Sequence, residues 1–566
     1  MSEALIDEEN FVPPTARVGL PIVRTHHRFL LRHRHFVHQY AAMYRARLEA
    51  LERRVLKAVS AKVAAGNVVG TFPQRSRVLE LGIGERALCV GVAYKEARLL
   101  PRFLDEYQKE LVRIDAGEEE DSYGGSEAVS CSVPLRANSR GINPTPGTCC
   151  EGDARNQSHL FNICGEDDEV FMEDDSGRVR LEGIPAAVVC TGLVLGVDGT
   201  LLENGCLSVN CYAIGDLREV YVPRTLPTVS SPMPCYVGFV CGLELCSAQT
   251  QTDAATNGRA MIELLVDYLS GALGSTGKVV QPSYISRLVI GGNSIAPTDE
   301  LRLKRKVKLD PSDHVKLSDD KQNNGTVTSA SLMRELDAIL ARLADSIEVE
   351  LMPGDNDMTN AFHPQQPIHP LLLPEAARRS SIGFVTNPYE FVAFPSDDEE
   401  NHVERSGADA TEGGTIFFVS SGSNLNCVNR ETRFDSRLDA MSLILQSGCA
   451  CPTAPNTVFS YPFTDTDPFV FPKAPHCFVC CDQPEWETRW EPLATFDPTR
   501  DTNGCGILLN EEMEGQSQEI ESDGAGVRLV CVPTFAQTGK LVLVDVNSPT
   551  LETTYVDFAS GLCNPR

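Results

Sequence analysis

The first strong hydrophobic pattern begins at residue 36. Phe36, Tyr40, Tyr44, Leu48, Leu51, Val55 and Val59 recur at steps of three and four. That spacing predicts a helix over about 36–64 with one apolar stripe, buried against the main body. Gly66 and Pro73 end the pattern. Short apolar stretches with β-branched residues then follow at 78–81 and 88–93, and later as VRLEGI (179–184), AAVVCTGLVLGV (186–197), LSVNCYAI (207–214) and REVYVP (218–223). Separated by Gly and Asp turns, they predict a small β-barrel within 76–225. The pattern by itself does not separate an OB-fold from other barrels. From about 114 to 168 the chain is rich in Gly, Ser, Glu and Asp and reads as a disordered insert.

Beyond residue 233 the pattern changes. The stretch 236–245 reads as a strand and precedes a helix near 257–272; RLVI (287–290) is the next strand. A helix over 331–345 carries Leu332, Leu336, Ile339, Leu340 and Leu343 on one face, and a strand over 347–352 runs into the loop PGDND. Further strands are expected at 382–386, 416–420, 477–481, 527–532 and 541–546, with polar inserts at about 302–330, 393–414 and 500–526. Strands alternating with helices predict an α/β sandwich.

Composition narrows the function. With 566 residues, of which 42% are hydrophobic, the chain has ample material for several domains. No run of eighteen apolar residues suggests a membrane span, and the acidic start MSEALIDEEN lacks the order of an export signal. The 20 cysteines are therefore expected as thiols. A formal charge of -28 opposes autonomous binding to duplex DNA, which needs a basic face to displace counterions. It favours a protein partner. One local exception is 24–34, with Arg24, His26, His27, Arg28, Arg32, His33 and Arg34. It reads as a solvated entry to the helix, or else as a nucleic-acid or nuclear-import patch.

The most specific segment is Met352-Pro353-Gly354-Asp355-Asn356-Asp357-Met358-Thr359-Asn360, continuing after two residues as His363-Pro364-Gln365-Gln366-Pro367-Ile368-His369-Pro370. It closely resembles the MPGxxDPTNxxxPQQPxHP signature of the polymerase delta small subunit, within the B-subunit family of DNA polymerases alpha, delta and epsilon. Other stretches are similar to that family in the same order. They are FVHQYAAMYRARL (36–48), FVTNPYEF (384–391, with Thr386-Asn387-Pro388-Tyr389), the Pro-rich run 451–480, and the closing pair 527–546. The resemblance implies an α+β / α/β multidomain chain. An N-terminal extension and helix (1–75) would pack on the body. An OB-fold β-barrel (76–225) would precede a calcineurin-like phosphoesterase fold, a two-sheet α/β sandwich, over 233–566.

An active enzyme of that kind holds two metal ions, which clamp phosphate and generate hydroxide. Its loops read D-x-H, G-D-x-x-D, G-N-H-D/E, a lone His and G-H-x-H. Here Gly242-Leu243-Glu244 stands where D-x-H belongs, and Gly291-Gly292-Asn293-Ser294 lacks both aspartates of the second loop. In the third, Asp355 replaces the ligand Asn and Asn356 the catalytic His, followed by Asp357. A late loop has Ser421-Gly422-Ser423-Asn424, and five of the 11 histidines lie at 26–38. Asp355, Asp357 and Glu244 do not replace a two-metal ligand set, so the sandwich is expected to be catalytically inactive and to need no cofactor.

The resemblance further implies an accessory role. The expected partners are the catalytic subunit of DNA polymerase delta, through its C-terminal domain, and a third, clamp-interacting subunit on the barrel side. The sliding clamp and DNA would be met through the complex, and the expected place is the nucleus. An active metallophosphoesterase, or the B-subunit of polymerase alpha or epsilon, are the alternatives. Two other constellations have plain readings. His476-Cys477 with Cys480-Cys481 lacks the second paired motif of a zinc site, since Cys449 and Cys451 are one residue apart, and reads as core thiols. The run 302–308 (RLKRKVK) reads equally as a solvated loop or as a DNA-contact or import patch. Tyr389 and Phe469 read as packing.

The helical stripe gives the first prediction. Tyr44→Asp or Leu51→Asp buries an unpaired charge and is expected to destabilise the chain by several (about 2–5) kcal/mol, read as a lower melting temperature. An unchanged melting temperature would show that the helix is not packed inward.

Overall fold

The computed structural model describes residues 17–32, 36–66, 73–99, 162–226, 233–246, 253–273, 279–296, 329–394, 412–497, 499 and 525–560. The inserts expected at 302–330, 393–414 and 500–526 lie almost wholly outside these residues, as does the basic run 302–308. Three six-stranded sheets organise the rest.

The chain enters through strand β1 (Ile22–Arg24) and reaches helix α1 (Ala41–Ala65). The barrel follows, with β2 (Gln74–Arg75), β3 (Arg86–Glu96), β4 (Glu169–Glu173), β5 (Arg178–Glu182), β6 (Val194–Leu201) and β7 (Cys206–Ala213). Alternation decides which side faces in: Val170 and Met172 on β4, and Val179 and Leu181 on β5, are buried. Pairing of β3 with both β4 and β6 closes the ring β3-β4-β5-β7-β6, with β5 and β7 parallel. That strand order is the OB-type barrel. α1 lies across β6, where Gly196 permits close approach. A Cβ there would stand 2.9 Å from methyls of Val55 and Val59.

The second half builds two facing sheets. Its elements are β8 (Tyr236–Val240), α2 (Asp253–Leu269), β9 (Ile285–Gly291), α3 (Ser329–Ala344), β10 (Glu348–Met352), β11 (Ile382–Phe384), β12 (Tyr389–Ala393) and β13 (Thr415–Ser420). Next come α4 (Ser423–Glu431), α5 (Arg437–Ser447), β14 (Cys477–Gln483), β15 (Glu487–Pro492), β16 (Gly526–Pro533), the single turn α6 (Phe535–Thr538), β17 (Lys540–Asp545) and β18 (Thr553–Asp557). One sheet runs β11-β10-β9-β8-β17-β18; the other runs β1-β12-β13-β14-β16-β15. Phe239, Val289 and Val542 of the first meet Phe391, Phe417 and Val479 of the second in a shared core. α2 and α3 cover the first sheet's outer face through Leu265, Leu336 and Leu340. α4 and α5 cover the second sheet's outer face, in a core continuous with the barrel and α1. The result is a four-layered sandwich joined to the barrel. Its parallel central strands are buried on both faces, which is why they read as continuous apolar runs.

Several expectations are corrected. The stretches 78–81 and 218–223 are not strands: Val78–Glu80 and Leu217–Val220 are 3-10 turns. Asp216 caps the second by accepting the Arg218 N–H at 3.0 Å. Within 186–197 only the end enters β6. The insert read to 168 ends earlier, because Ile163 and Cys164 are buried and Ile163 N–H donates to the Arg430 carbonyl at 2.8 Å. α1 begins after Phe36 and Tyr40, which are exposed, so the buried stripe starts at Met43 and runs through Leu51, Val55 and Val59.

Where it is described, the 24–34 segment is only partly solvated: Arg24, His27 and Arg32 are exposed, yet two of its arginines are anchored to the body. The Arg24 guanidinium donates to the buried Glu350 carboxylate at 2.9 Å, which Arg287 also holds at 2.6 Å. Arg28 donates to Glu390 at 2.7 Å and to the carbonyls of Pro468 and Val470 at 2.9 and 2.7 Å. Arg17 reaches the carbonyls of Leu269, Pro282, Ile285 and Ser346 at 2.5–3.0 Å. These contacts strap the N-terminal segment across both sheets of the sandwich.

Arg47, on α1, is fully buried. It donates to Asp467 at 2.7 Å and to the carbonyls of Gly192, Pro452 and Ala454 at 3.1, 2.6 and 2.8 Å. Arg47→Ala is expected to destabilise the chain by about 3–5 kcal/mol, because the Asp467 charge stays buried without its partner. A denaturant midpoint close to wild type would contradict that.

Candidate functional site

The three loops compared above with a two-metal site leave β8, β9 and β10 side by side. Gly242 N–H donates to the Gly292 carbonyl (2.9 Å), Glu244 N–H to Asn293 (3.2 Å) and Leu245 N–H to Ser294 (3.0 Å). Gly292, at φ 97°, lies so close to Gly354 that a Cβ would stand 2.7 Å from its Cα. These loops are therefore zipped to one another by backbone contacts.

Asp357 is the hub. Its Oδ1 accepts the N–H groups of Ser294 (2.9 Å) and Ile295 (3.3 Å), and its Oδ2 accepts Gly354 N–H (2.8 Å). Asn293 Oδ1 accepts Asn356 N–H at 3.1 Å. Burial pushes the Asp357 carboxyl up to about 6, against the pull of those backbone donors. Asp355 is the outward member, its side chain 40% exposed, with Oδ1 3.9 Å from His363 Nε2; that nitrogen also stands 3.3 Å from Ser423 Oγ. Among the described residues, no group of three His, Cys, Asp or Glu side chains is placed to hold a metal ion.

The rest of the signature is structural. Gln365 Nε2 donates to the carbonyls of Gly354 (3.3 Å) and Asn360 (3.2 Å), and its Oε1 accepts from Asn387 Nδ2 at 2.7 Å. Asn387 also donates to Ser421 Oγ at 2.6 Å. Thr359 Oγ1 donates to the Gln366 carbonyl (2.6 Å), and Asn360 Oδ1 accepts Gln366 N–H (2.7 Å). Gln366 then ties down the N-terminal segment: Nε2 donates to the Phe29 carbonyl (2.9 Å), and Oε1 accepts Leu31 N–H (3.0 Å). Thr386 Oγ1 donates to the Pro388 carbonyl (2.6 Å), and Tyr389 stacks on Phe391 in the core. His369 is exposed and caps the turn that starts at Pro370, accepting Leu371 N–H on Nδ1 at 3.2 Å. Pro353, Pro364 and Pro367 shape these loops without donors of their own.

The cysteines behave as apolar filler. Cys477, Cys480 and Cys481 are buried on β14, and burial pushes the thiols of Cys477 and Cys480 up to about 12. Both nitrogens of His476 meet backbone: Nδ1 accepts Ile416 N–H at 2.9 Å, and Nε2 lies 2.7 Å from the Val222 carbonyl. Phe469 is buried, as read.

The sequence matches the family described as DNA polymerase delta subunit OB-fold domain over residues 39–212. It matches the family described as the DNA polymerase alpha/epsilon B-subunit over 237–397 and 409–488. Relatives include the "DNA polymerase delta small subunit" of Oryza sativa, 26% identical over 86% of this chain and 86% of its own. That of Saccharomyces cerevisiae is 24% identical over 98% of this chain and 97% of its own. The Drosophila melanogaster "DNA polymerase delta subunit 2" is 27% identical over 70% and 75%. The chain belongs to the DNA polymerase B-subunit family.

Within that family frame, one surface escaped sequence reasoning. Phe36, 54% exposed, packs its ring 5.1 Å from those of Phe362 and Tyr461, and Phe459, 61% exposed, lies 6.2 Å from Phe362. Val37 and Met358 are exposed as well. The signal was weak: Phe36 fitted the helical stripe, and Phe362 and Phe459 are single aromatics inside Pro-rich loops.

Asp357 generates a pH prediction. The folded chain binds the Asp357 proton more tightly than the unfolded chain does. Its stabilising contribution is therefore complete below the ordinary value near 4 and is lost as pH rises through about 6, each tenfold difference in proton affinity being worth about 1.4 kcal/mol. Asp357→Asn does not titrate, and it turns an amide against backbone donors. The variant is expected to be less stable by about 1–3 kcal/mol at pH 4, with a smaller gap at pH 7, in urea unfolding. A gap that widens with pH would refute this.

Proposed function

We propose that this chain is the non-catalytic accessory subunit of a DNA polymerase delta, and that its sandwich is a calcineurin-like phosphoesterase fold used as scaffold. The observation that carries the reading is the orientation of Asp357. Both carboxylate oxygens face backbone N–H groups, in the loop where a two-metal enzyme presents ligands to its ions. With Gly242 and Asn293 in the neighbouring loops, the ligand set of such an enzyme is missing. The proposed division is 1–75, 76–225 and 233–566, with α1 as the joint between barrel and sandwich.

The partners in this reading are the catalytic subunit, engaged through its C-terminal domain, and a third subunit on the barrel. The sliding clamp and DNA are met through the complex, in the nucleus, during replication and repair synthesis. The Phe36–Phe362–Phe459 surface supports a protein contact, since exposed aromatics in a cluster mark interfaces more than monomer surface. On the barrel, Leu79 and Ile83 are exposed apolar side chains of the same kind.

Co-expression tests the reading. The chain is expected to co-purify with the delta catalytic subunit and not with the alpha one, and to show no turnover of a chromogenic phosphate ester with manganese. Phe459→Asp is expected to weaken that co-purification by about 2 kcal/mol or more. Preference for the alpha subunit, or turnover abolished by Asp355→Ala, would overturn it.

A further inference from the structure

The seam between barrel and sandwich holds a buried amine against a thiol. Lys95, on β3, has a fully buried side chain. Its Nζ donates to the carbonyls of Ala186 (2.7 Å) and Glu431, and stands 3.4 Å from the Asp168 carboxylate. An ammonium has three N–H donors, so these partners already satisfy it. Cys164 Sγ is a fourth neighbour, at 3.2 Å, which the charge does not need. Cys164 is 2% exposed and belongs to the strap 162–168, which is pinned to α4 by Asn162 and Ile163. Two and three residues on, Glu166 and Asp167 are exposed.

We propose that Lys95 and Cys164 form a covalent sulfur–nitrogen link that hydrogen peroxide closes and a small thiol reopens. Peroxide oxidises a cysteine sulfur first to the sulfenic acid, which condenses with a nearby nitrogen. In the first step an S–O bond forms, the peroxide O–O bond breaks and water leaves, giving the sulfenic acid. The Lys95 ammonium passes a proton to the Asp168 carboxylate. The free amine then attacks sulfur, the S–N bond forms, the S–O bond breaks, and hydroxide leaves as water with that proton, while the second nitrogen proton passes through Asp168 to solvent. Overall, thiol, ammonium and hydrogen peroxide give the sulfenamide, two waters and a proton. Sulfur is oxidised by two electrons and the peroxide is reduced by two. Two equivalents of thiol reverse the step by releasing amine and Cys164 and forming a disulfide. Closing the link fastens the strap to β3 where the barrel meets α4, so the joint between the two halves responds to peroxide.

The test is peptide mapping by mass spectrometry of the full chain, before and after dilute hydrogen peroxide, digested without reductant. The expected product is a peptide pair joining Lys95 and Cys164, lighter than the two separate peptides by two hydrogens. Dithiothreitol should abolish it, and Cys164→Ser or Lys95→Arg should lack it. Recovery of Cys164 as free thiol or as sulfinic acid, with the Lys95 peptide unlinked, would overturn the proposal. Should either variant fold poorly, judged by its melting temperature, the map of the unaltered chain decides alone.

Discussion

The Arg47 guanidinium is the constraint on which the arrangement of barrel and sandwich depends. A charge removed from water must be met on every side, and a planar fork of five donors can meet several groups at once. Here the fork meets one carboxylate and three carbonyls. Gly192 belongs to the barrel; Pro452, Ala454 and Asp467 belong to the sandwich; the arginine comes from a helix that is part of neither sheet. Apolar packing along α1 is nondirectional and would tolerate sliding. The arginine fixes one axial position, because a shift of one turn would leave four acceptors and a cation unpaired. The close approach at Gly196 then sets how deeply the helix sits on the barrel.

The strand-end loops follow the same rule on a smaller scale. Asp357, Asn293, Gln365 and Asn387 direct their polar atoms at backbone and at each other, which fixes loop shape. Among the described residues, non-glycine backbone at positive φ occurs at Glu244, Asn293, Asp482 and Leu551. Three of those four stand at the ends of β8, β9 and β14, and each costs about 1–2 kcal/mol. Strain of that size persists only where surrounding bonds enforce it. The zipped loops supply those bonds at the ends of β8 and β9.

Legibility in the sequence followed the physics of burial. Strands buried on both faces announced themselves as apolar runs, and α3 showed its stripe. α5 gave no stripe because nearly every one of its residues is buried, including Asp439, Ser442 and Gln446; a helix enclosed all round has no polar face to mark its period. β15 and β18 are polar edge strands, ETRWEP and TTYVD, and carry little hydrophobic signal. The signature 352–370 was legible as a motif, but not as a clamp. That Gln366 holds Phe29 and Leu31 depends on a contact across more than three hundred residues, which no local pattern encodes.

The arginines carry the last step. Arg17, Arg24, Arg28, Arg47, Arg224, Arg287 and Arg528 all turn their guanidinium groups onto carbonyls or carboxylates of the chain itself. Cations bonded in this way are poorly placed to meet phosphates, whereas many of the carboxylates remain in water. These guanidinium groups are engaged within the fold, in a chain whose formal charge is -28 overall. Counterion release, the main source of affinity for a nucleic-acid backbone, needs free cations, and these arginines do not supply them. In the proposed reading the contacts are with proteins, through apolar anchors such as Phe36 and Phe459. The arginines named here hold the chain in shape, because each donates to a group that folding has withdrawn from water.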